Sequence, residues 1–334
     1  MYLYCKGDLR NTTESYLQEG FSTAHLKGMY GQSNPVSVKG TSDAFDDMVI
    51  DHTVGTSISG VQRKMFMTLE NNVLVPSNQG EYIVKPTPTN FPQLAENEHT
   101  IMKIAERLKL GVAKCSLAPF EDGELVYVTK RFDLTKEQGV NLLIEDGASI
   151  CDVHPINKGS DALSYEKCIK TMVKACGGGL GVAAQAIKFV LFSYIVGNND
   201  LHLKNFSLQR QPNSKTHIMD GFTPLYDLLS VAPYPVYDNE YTSLSVLDSE
   251  TKGEFSTSYE AYGHYTKHDF ILLFSALGIK EKVAEKVILL FADDLQIAAI
   301  KTIQLSNLDE HLKNIILERI NARVKFIKQP IYNP

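Results

Sequence analysis

Apolar and polar positions change rhythm along this chain. Met65, Met67 and Leu69 alternate with Phe66 and Thr68, Asn71-Asn72 follows, and 73–75 is apolar again, a period of two that predicts a hairpin. A third strand, Tyr82-Ile-Val-Lys85, comes after the Gly80 turn, and 112–120 and 125–133 add two more around Asp122-Gly123. Between them, Leu94, Glu98, Ile101, Ala105 and Leu108 share one helical face in 94–110, with Gly111 as the stop.

Beyond Asp133 the chain turns charged and irregular, and its period then becomes helical. The segment 164–175 reads as a helix, Gly177-Gly-Gly-Leu-Gly181 interrupts it, and 182–196 is apolar nearly throughout, with Lys188 its only charge. A buried helix is expected there. A second hairpin is expected from 206–209 and 217–219 across Pro-Asn-Ser, returning into Thr223-Pro-Leu-Tyr-Asp227-Leu-Leu-Ser230. From Thr266, with Asp269 completing a capping box, amphipathic helices run to about 327. Residues 1–50 are the least readable, with a modest helical pattern in 16–30 and no assigned chemistry. The pattern predicts an α+β fold of two lobes, a small β-rich N-lobe over 1–133 and a mostly helical C-lobe over 134–334.

Composition narrows the function. The 334 residues are 43% apolar and 22% charged, a globular composition, and the net charge of −6 without a basic run disfavours direct DNA binding. The five cysteines are odd in number and lack a Cys-x-x-Cys pair, which suits reduced thiols in a cytoplasmic compartment. Cys5 and His25 can bind metals but show no paired ligands, so they are read as packing residues. The most apolar window, 183–196, is too short to cross a bilayer, and no membrane contact is expected.

The candidate chemistry lies in Gly197-Asn-Asn-Asp-Leu-His-Leu-Lys-Asn-Phe-Ser207. Asp200 precedes Asn205 by five positions, the spacing at which a phosphoryl-transfer loop sets a proton acceptor and a magnesium ligand. Read alone, the cluster would equally suit a polar turn. Gly55-Thr-Ser-Ile-Ser-Gly60 is a small-residue loop whose N–H groups and hydroxyls could approach phosphate, and Lys85 lies on the strand after the hairpin that follows it. Glu98, unlike Glu96, shares the inward face and could position Lys85. Asp227 ends a returning strand and could supply the second magnesium ligand.

Ser57-Ile-Ser-Gly-Val-Gln-Arg-Lys64, Lys85, Lys130-Arg-Phe-Asp133, Asp200-Leu-His-Leu-Lys-Asn205 and Leu225-Tyr-Asp227 together resemble the HipA-like serine/threonine kinase toxins of bacterial toxin–antitoxin systems. The resemblance implies a protein-kinase-like fold that binds ATP and Mg²⁺. Ser57, Ile58, Ser59, Gly60, Lys85, Glu98, Lys130 and Phe132 would contact the nucleotide or support that contact, and Asn205 and Asp227 would hold the metal. Asp200 would be the base, with His202 and Lys204 supporting the loop, and Ser57 and Ser59 would be autophosphorylated. The short chain resembles the HipT form, which implies a HipS-like small antitoxin and a HipB-like helix-turn-helix partner that alone contacts DNA. An aminoacyl-tRNA synthetase would be the protein substrate. Two departures stand out: Lys130 replaces a frequent Glu, and a His-Gln-Glu-Asp stretch is missing after Ile150. A lipid or small-molecule kinase, or a silent kinase-like regulatory binding protein, are the alternative readings.

Overall fold

The computed structural model describes residues 4–13, 17–45, 63–135, 137, 139–159, 162–238 and 240–332. Strands β1 (Tyr4–Cys5) and β2 (Arg10–Asn11) pair antiparallel, and the helix Thr23–Tyr30 follows, shorter than the 16–30 pattern suggests. Ser22 sets its start, because the Ser22 hydroxyl accepts the His25 N–H. Strands β3 (Ser37–Val38), β4 (Met65–Glu70), β5 (Val73–Pro76), β6 (Tyr82–Lys85), β7 (Cys115–Pro119) and β8 (Leu125–Lys130) form a six-stranded sheet in the order β3-β5-β4-β6-β8-β7.

The two faces of this sheet belong to different cores. Met65, Met67, Val84, Val126 and Val128 point into a small cluster with Leu26, Met29 and Phe120. Leu117 and Tyr127 point the other way, into the large cluster that includes Ile101 and Met102. Lys85 stands directly across from Tyr127 in the ladder, so alternation sends its side chain to the same face as that ring. The helix Leu94–Arg107 covers this face and is buried at all but a few positions.

The second half is helical. Tyr165–Ala175, Leu180–Val196, Lys267–Ala276, Glu281–Gln304 and Glu310–Ile327 pack into the large core, and Leu180–Val196 is wholly buried from Phe189 onward. Gly197 ends that helix with φ at +73°, a left-handed conformation that suits glycine, and releases the chain into the polar loop. The expected capping box is present: Thr266 accepts from the His268 N–H, and Asp269 accepts from the Thr266 N–H.

Strands β9 (Leu143–Asp146), β10 (Ser207–Arg210) and β11 (Gly221–Phe222) form a second sheet in the order β11-β10-β9. Two expectations need correction here. The return strand is not at 217–219, because the Met219 N–H is taken by the Ala175 carbonyl at 2.9 Å and pairing begins at Gly221. The partner on the other side of β10 is β9, which had not been read as a strand. Phe206 and Phe222 stack at 4.7 Å and Phe189 meets both edge-on, which fastens this sheet to the buried helix.

Candidate functional site

Three segments far apart in sequence meet at Lys85. Its ammonium donates to Glu98 Oε1 at 2.8 Å and to the Asp227 carboxylate, and it lies 5.4 Å from the centre of the Tyr127 ring. The Lys85 and Glu98 side chains are 5% and 1% exposed, whereas that of Asp227 is 30% exposed and opens towards solvent. Burial works against the Lys85 charge, but the two carboxylates outweigh it and raise its pKa. Burial also works against ionised Asp227, and there the ammonium wins, holding its carboxyl below the usual range. Glu98 goes the opposite way, pushed up to about 7 by burial despite Lys85.

Backbone pairing places Asp227. Leu225 donates its N–H to Gly111 O at 2.8 Å and accepts from the Ala113 N–H at 2.9 Å, which pins the segment to the turn after the covering helix. Two residues beyond Leu225, Asp227 adopts φ at +54°, a left-handed conformation that an aspartate tolerates better than most residues. Asn97, beside Glu98, closes the arrangement: its amide donates to Ser230 O at 2.8 Å and its oxygen accepts the Ser230 N–H at 2.9 Å. Both carboxylates on Lys85 are thus fixed by one helix clamped to one loop. Sequence reasoning had passed over Asn97, whose position next to Glu98 was its only signal.

The loop after Gly197 forms the outer part. The Asn205 amide nitrogen donates to Asp200 O at 3.1 Å, which turns its oxygen, a cation-binding atom, outward from that bond. The Tyr226 hydroxyl reaches Lys204 O at 2.9 Å and Ser207 Oγ at 2.6 Å, drawing the Asp227 segment alongside this loop. The Asp200 side chain is 55% exposed, and its carboxyl pKa is raised by desolvation, with His202 and Lys158 pulling it down. His202 is buried, and burial lowers its pKa, so its Nε2 accepts from the Lys158 ammonium at 2.6 Å. A neutral imidazole 3.6 Å from Asp200 makes a polar contact, not an ion pair. Lys158 is the second residue that sequence reasoning missed.

Lys64 is the third. Burial lowers its pKa, and it feels Asp227, Lys85, Glu98 and Lys204, which places it in the same charged cleft. Its signal was its place at the end of the Gln-Arg-Lys stretch. Of the remaining candidates, Phe132 stacks on Tyr226 at 5.7 Å. The Lys130 backbone N–H donates to Lys114 O at 2.8 Å, and its ammonium sits 5.4 Å from the centre of the Tyr82 ring. Ser57, Ile58, Ser59 and Gly60 lie outside the described residues.

The donor set fits a nucleotide phosphate with a hard cation. Two buried or half-buried lysines face it, and a carboxylate and an amide oxygen are available on adjacent segments.

The model of the HipA-like C-terminal domain family matches residues 56–299. A Haemophilus influenzae protein named as a candidate kinase is 33% identical over 246 residues, 69% of each chain. The Sinorhizobium fredii protein Y4dM, also named as a candidate kinase, is 33% identical over 202 residues, 53% of this chain and 46% of its own. Among solved structures, the Shewanella oneidensis HipA of a HipA–HipB–operator DNA complex matches with a TM-score of 0.63 at 21% identity, over 81% of this chain and 66% of its own. The Helicobacter pylori proinflammatory kinase CtkA matches with a TM-score of 0.52 at 15% identity, over 81% of this chain and 91% of its own. At such identities the likeness shows the fold, a β-rich amino-terminal part and a helical carboxy-terminal part.

Proposed function

Because the chain belongs to the HipA-like C-terminal domain family, we propose that it is a serine/threonine protein kinase, transferring the ATP γ-phosphate to a protein hydroxyl and acting as a growth-arresting toxin. The observation that carries this reading is the buried Lys85 ammonium shared by Glu98 and Asp227 at the inner end of a polar cleft. Lys85 would hold the α- and β-phosphates, with Glu98 and the Asn97 clamp keeping it in place. Lys64 and Lys204 would add positive charge along the phosphates.

Asn205 and Asp227 would hold magnesium. When bound, the metal neutralises charge on the β- and γ-phosphates. Asp200 would accept the proton of the incoming hydroxyl. Its raised pKa strengthens it as a base. His202, fixed by Lys158, would hold the loop that aims Asp200.

The narrower parts of the reading rest on resemblance. They are the short HipT-type organisation, a HipS-like small partner, a HipB-like DNA-binding partner, an aminoacyl-tRNA synthetase as substrate, and action in the cytoplasm. A phosphate on Ser57 or Ser59 would carry close to two negative charges and repel nucleotide phosphates, which would make those serines an off switch.

Purified chain incubated with radiolabelled ATP and magnesium should label itself and a protein substrate on serine or threonine. Asp200→Ala should do neither. Undiminished labelling by Asp200→Ala would remove the base assignment, and label confined to lipid or a small molecule would remove the protein-kinase reading.

A further inference from the structure

The amino-terminal segment contains an unusual arrangement of donors. Strands β1 and β2 are two residues each, too small a hairpin to hold itself together in water. Their connecting turn presses on the helix Thr23–Tyr30. A Cβ on Gly7 would lie 2.1 Å from His25 Nε2, so only glycine lets the turn close over that imidazole. Among the described residues, one group of three donor-bearing side chains lies within 4.8 Å atom to atom: Cys5, Asp8 and His25.

The surroundings prepare each donor. The Cys5 sulfur, 1% exposed as a residue, accepts the Ser22 N–H at 3.3 Å, which fixes its position. His25 is 9% exposed, and its Nε2 pairs with Ser116 Oγ at 2.9 Å. Ser116 itself donates to Leu117 O at 2.9 Å, so the imidazole is the donor of that pair and Nδ1 keeps the lone pair. Asp8 is half-exposed and accepts the Arg10 N–H at 3.1 Å, and one of its oxygens lies within 4.8 Å of the Cys5 and His25 ligand atoms.

We propose that Cys5, Asp8 and His25 form a zinc site that staples the amino-terminal hairpin to the helix Thr23–Tyr30. One thiolate, one imidazole and one carboxylate select a borderline-soft divalent ion over magnesium or calcium. Zinc bonds of about 2.0–2.3 Å set tetrahedral ligand atoms roughly 3.5 Å apart, a spacing that donors already within 4.8 Å of one another reach by a small closure on the ion. Three protein ligands leave the fourth position to water. On binding, Cys5 loses its thiol proton to solvent and its sulfur bonds the metal. Thiolate and carboxylate then balance the 2+ ion, while the buried Lys103 ammonium stays compensated by Glu106 at 2.9 Å. Because Ser116 lies on β7, two strands from the one bearing Lys85, the staple also braces the edge of the nucleotide-facing sheet.

The test uses the full chain stripped with a chelator and titrated with Zn²⁺ or Co²⁺, so it does not depend on kinase activity. The wild type should take up one zinc per chain, gain thermal stability with it, and show a thiolate-to-cobalt charge-transfer band. Cys5→Ser should lose the band, and Cys151→Ser, a thiol outside the cluster, should keep it. Asp8→Asn, a half-exposed change that leaves the fold intact, should weaken zinc binding by roughly tenfold or more. Wild type without the cobalt band, or wild type and Asp8→Asn binding zinc equally, would overturn the site.

Discussion

The inner end of the cleft and its rim each present an aspartate, and the molecule treats the two in opposite ways. Asp227 is bonded to a buried ammonium, and its carboxyl is held below the usual range. Asp200 stands half in solvent with its pKa raised and a neutral His202 at 3.6 Å. An ion pair fixed from three sides gives position, whereas a loosely held carboxylate keeps its lone pairs for an incoming proton. The contrast teaches that one end of the cleft is built for geometry and the other for reactivity.

The largest effect should come from the rim. Asp200→Asn should lower phosphoryl transfer by roughly 10²- to 10⁴-fold while moving urea-unfolding stability by no more than about 0.5 kcal/mol. If that variant unfolds as readily as one from the inner end, the division is wrong. Lys85→Met makes the converse point. It leaves the buried Glu98 without its cation beside the partly exposed Asp227, and it should cost about 3–5 kcal/mol of stability along with activity. A chain that tolerated this loss would have Glu98 in a wetter place than its 1% exposure indicates.

A third prediction concerns pH. Glu98 in the folded chain has a pKa of about 7, above that of an unfolded glutamate near 4.3. Between those values the folded state binds more protons than the unfolded one, so this group's contribution to stability falls as pH rises through the window. Asp227, with a lowered pKa, does the reverse, and its contribution is lost only as pH falls through its own low value. Glu98→Gln should therefore lose less stability than wild type between pH 5 and 7, with a difference on the order of 2 kcal/mol in denaturant titrations. Parallel curves would mean that Glu98 stays ionised beside Lys85, and the inner end would then be a plain charge triad.

How far the sequence reached follows the same division. The strand Tyr82–Lys85 and the placing of Glu98, not Glu96, on the inward face were legible, because alternation and the 3.6-residue period are local properties. The capping box at Thr266 was legible for the same reason. What escaped was decided at long range. Met219 was read as strand, but the end of a helix 44 positions earlier takes its N–H. Lys158 reaches His202 across 44 positions from a stretch without regular rhythm. Asp8 joins Cys5 and His25 only because Gly7 lets a turn close over an imidazole, and no spacing rule announces that.

The smallest effect tests the rim's own support. Lys158 lowers the His202 pKa in addition to burial, and it occupies Nε2. Lys158→Met removes both influences, so His202 should gain a proton at higher pH than in the wild type. A protonated imidazole beside Asp200 would pair with it and weaken it as a base. The acid limb of the kcat/KM profile should then shift upward, by under about one pH unit, while kcat near pH 8 changes less than about threefold. Rescue by Lys158→Arg would assign the shift to the charge, because a guanidinium also donates to Nε2. An acid limb that stays in place would mean that His202 stays neutral without Lys158, and the reactivity of the rim would then rest on Asp200 and its exposure alone.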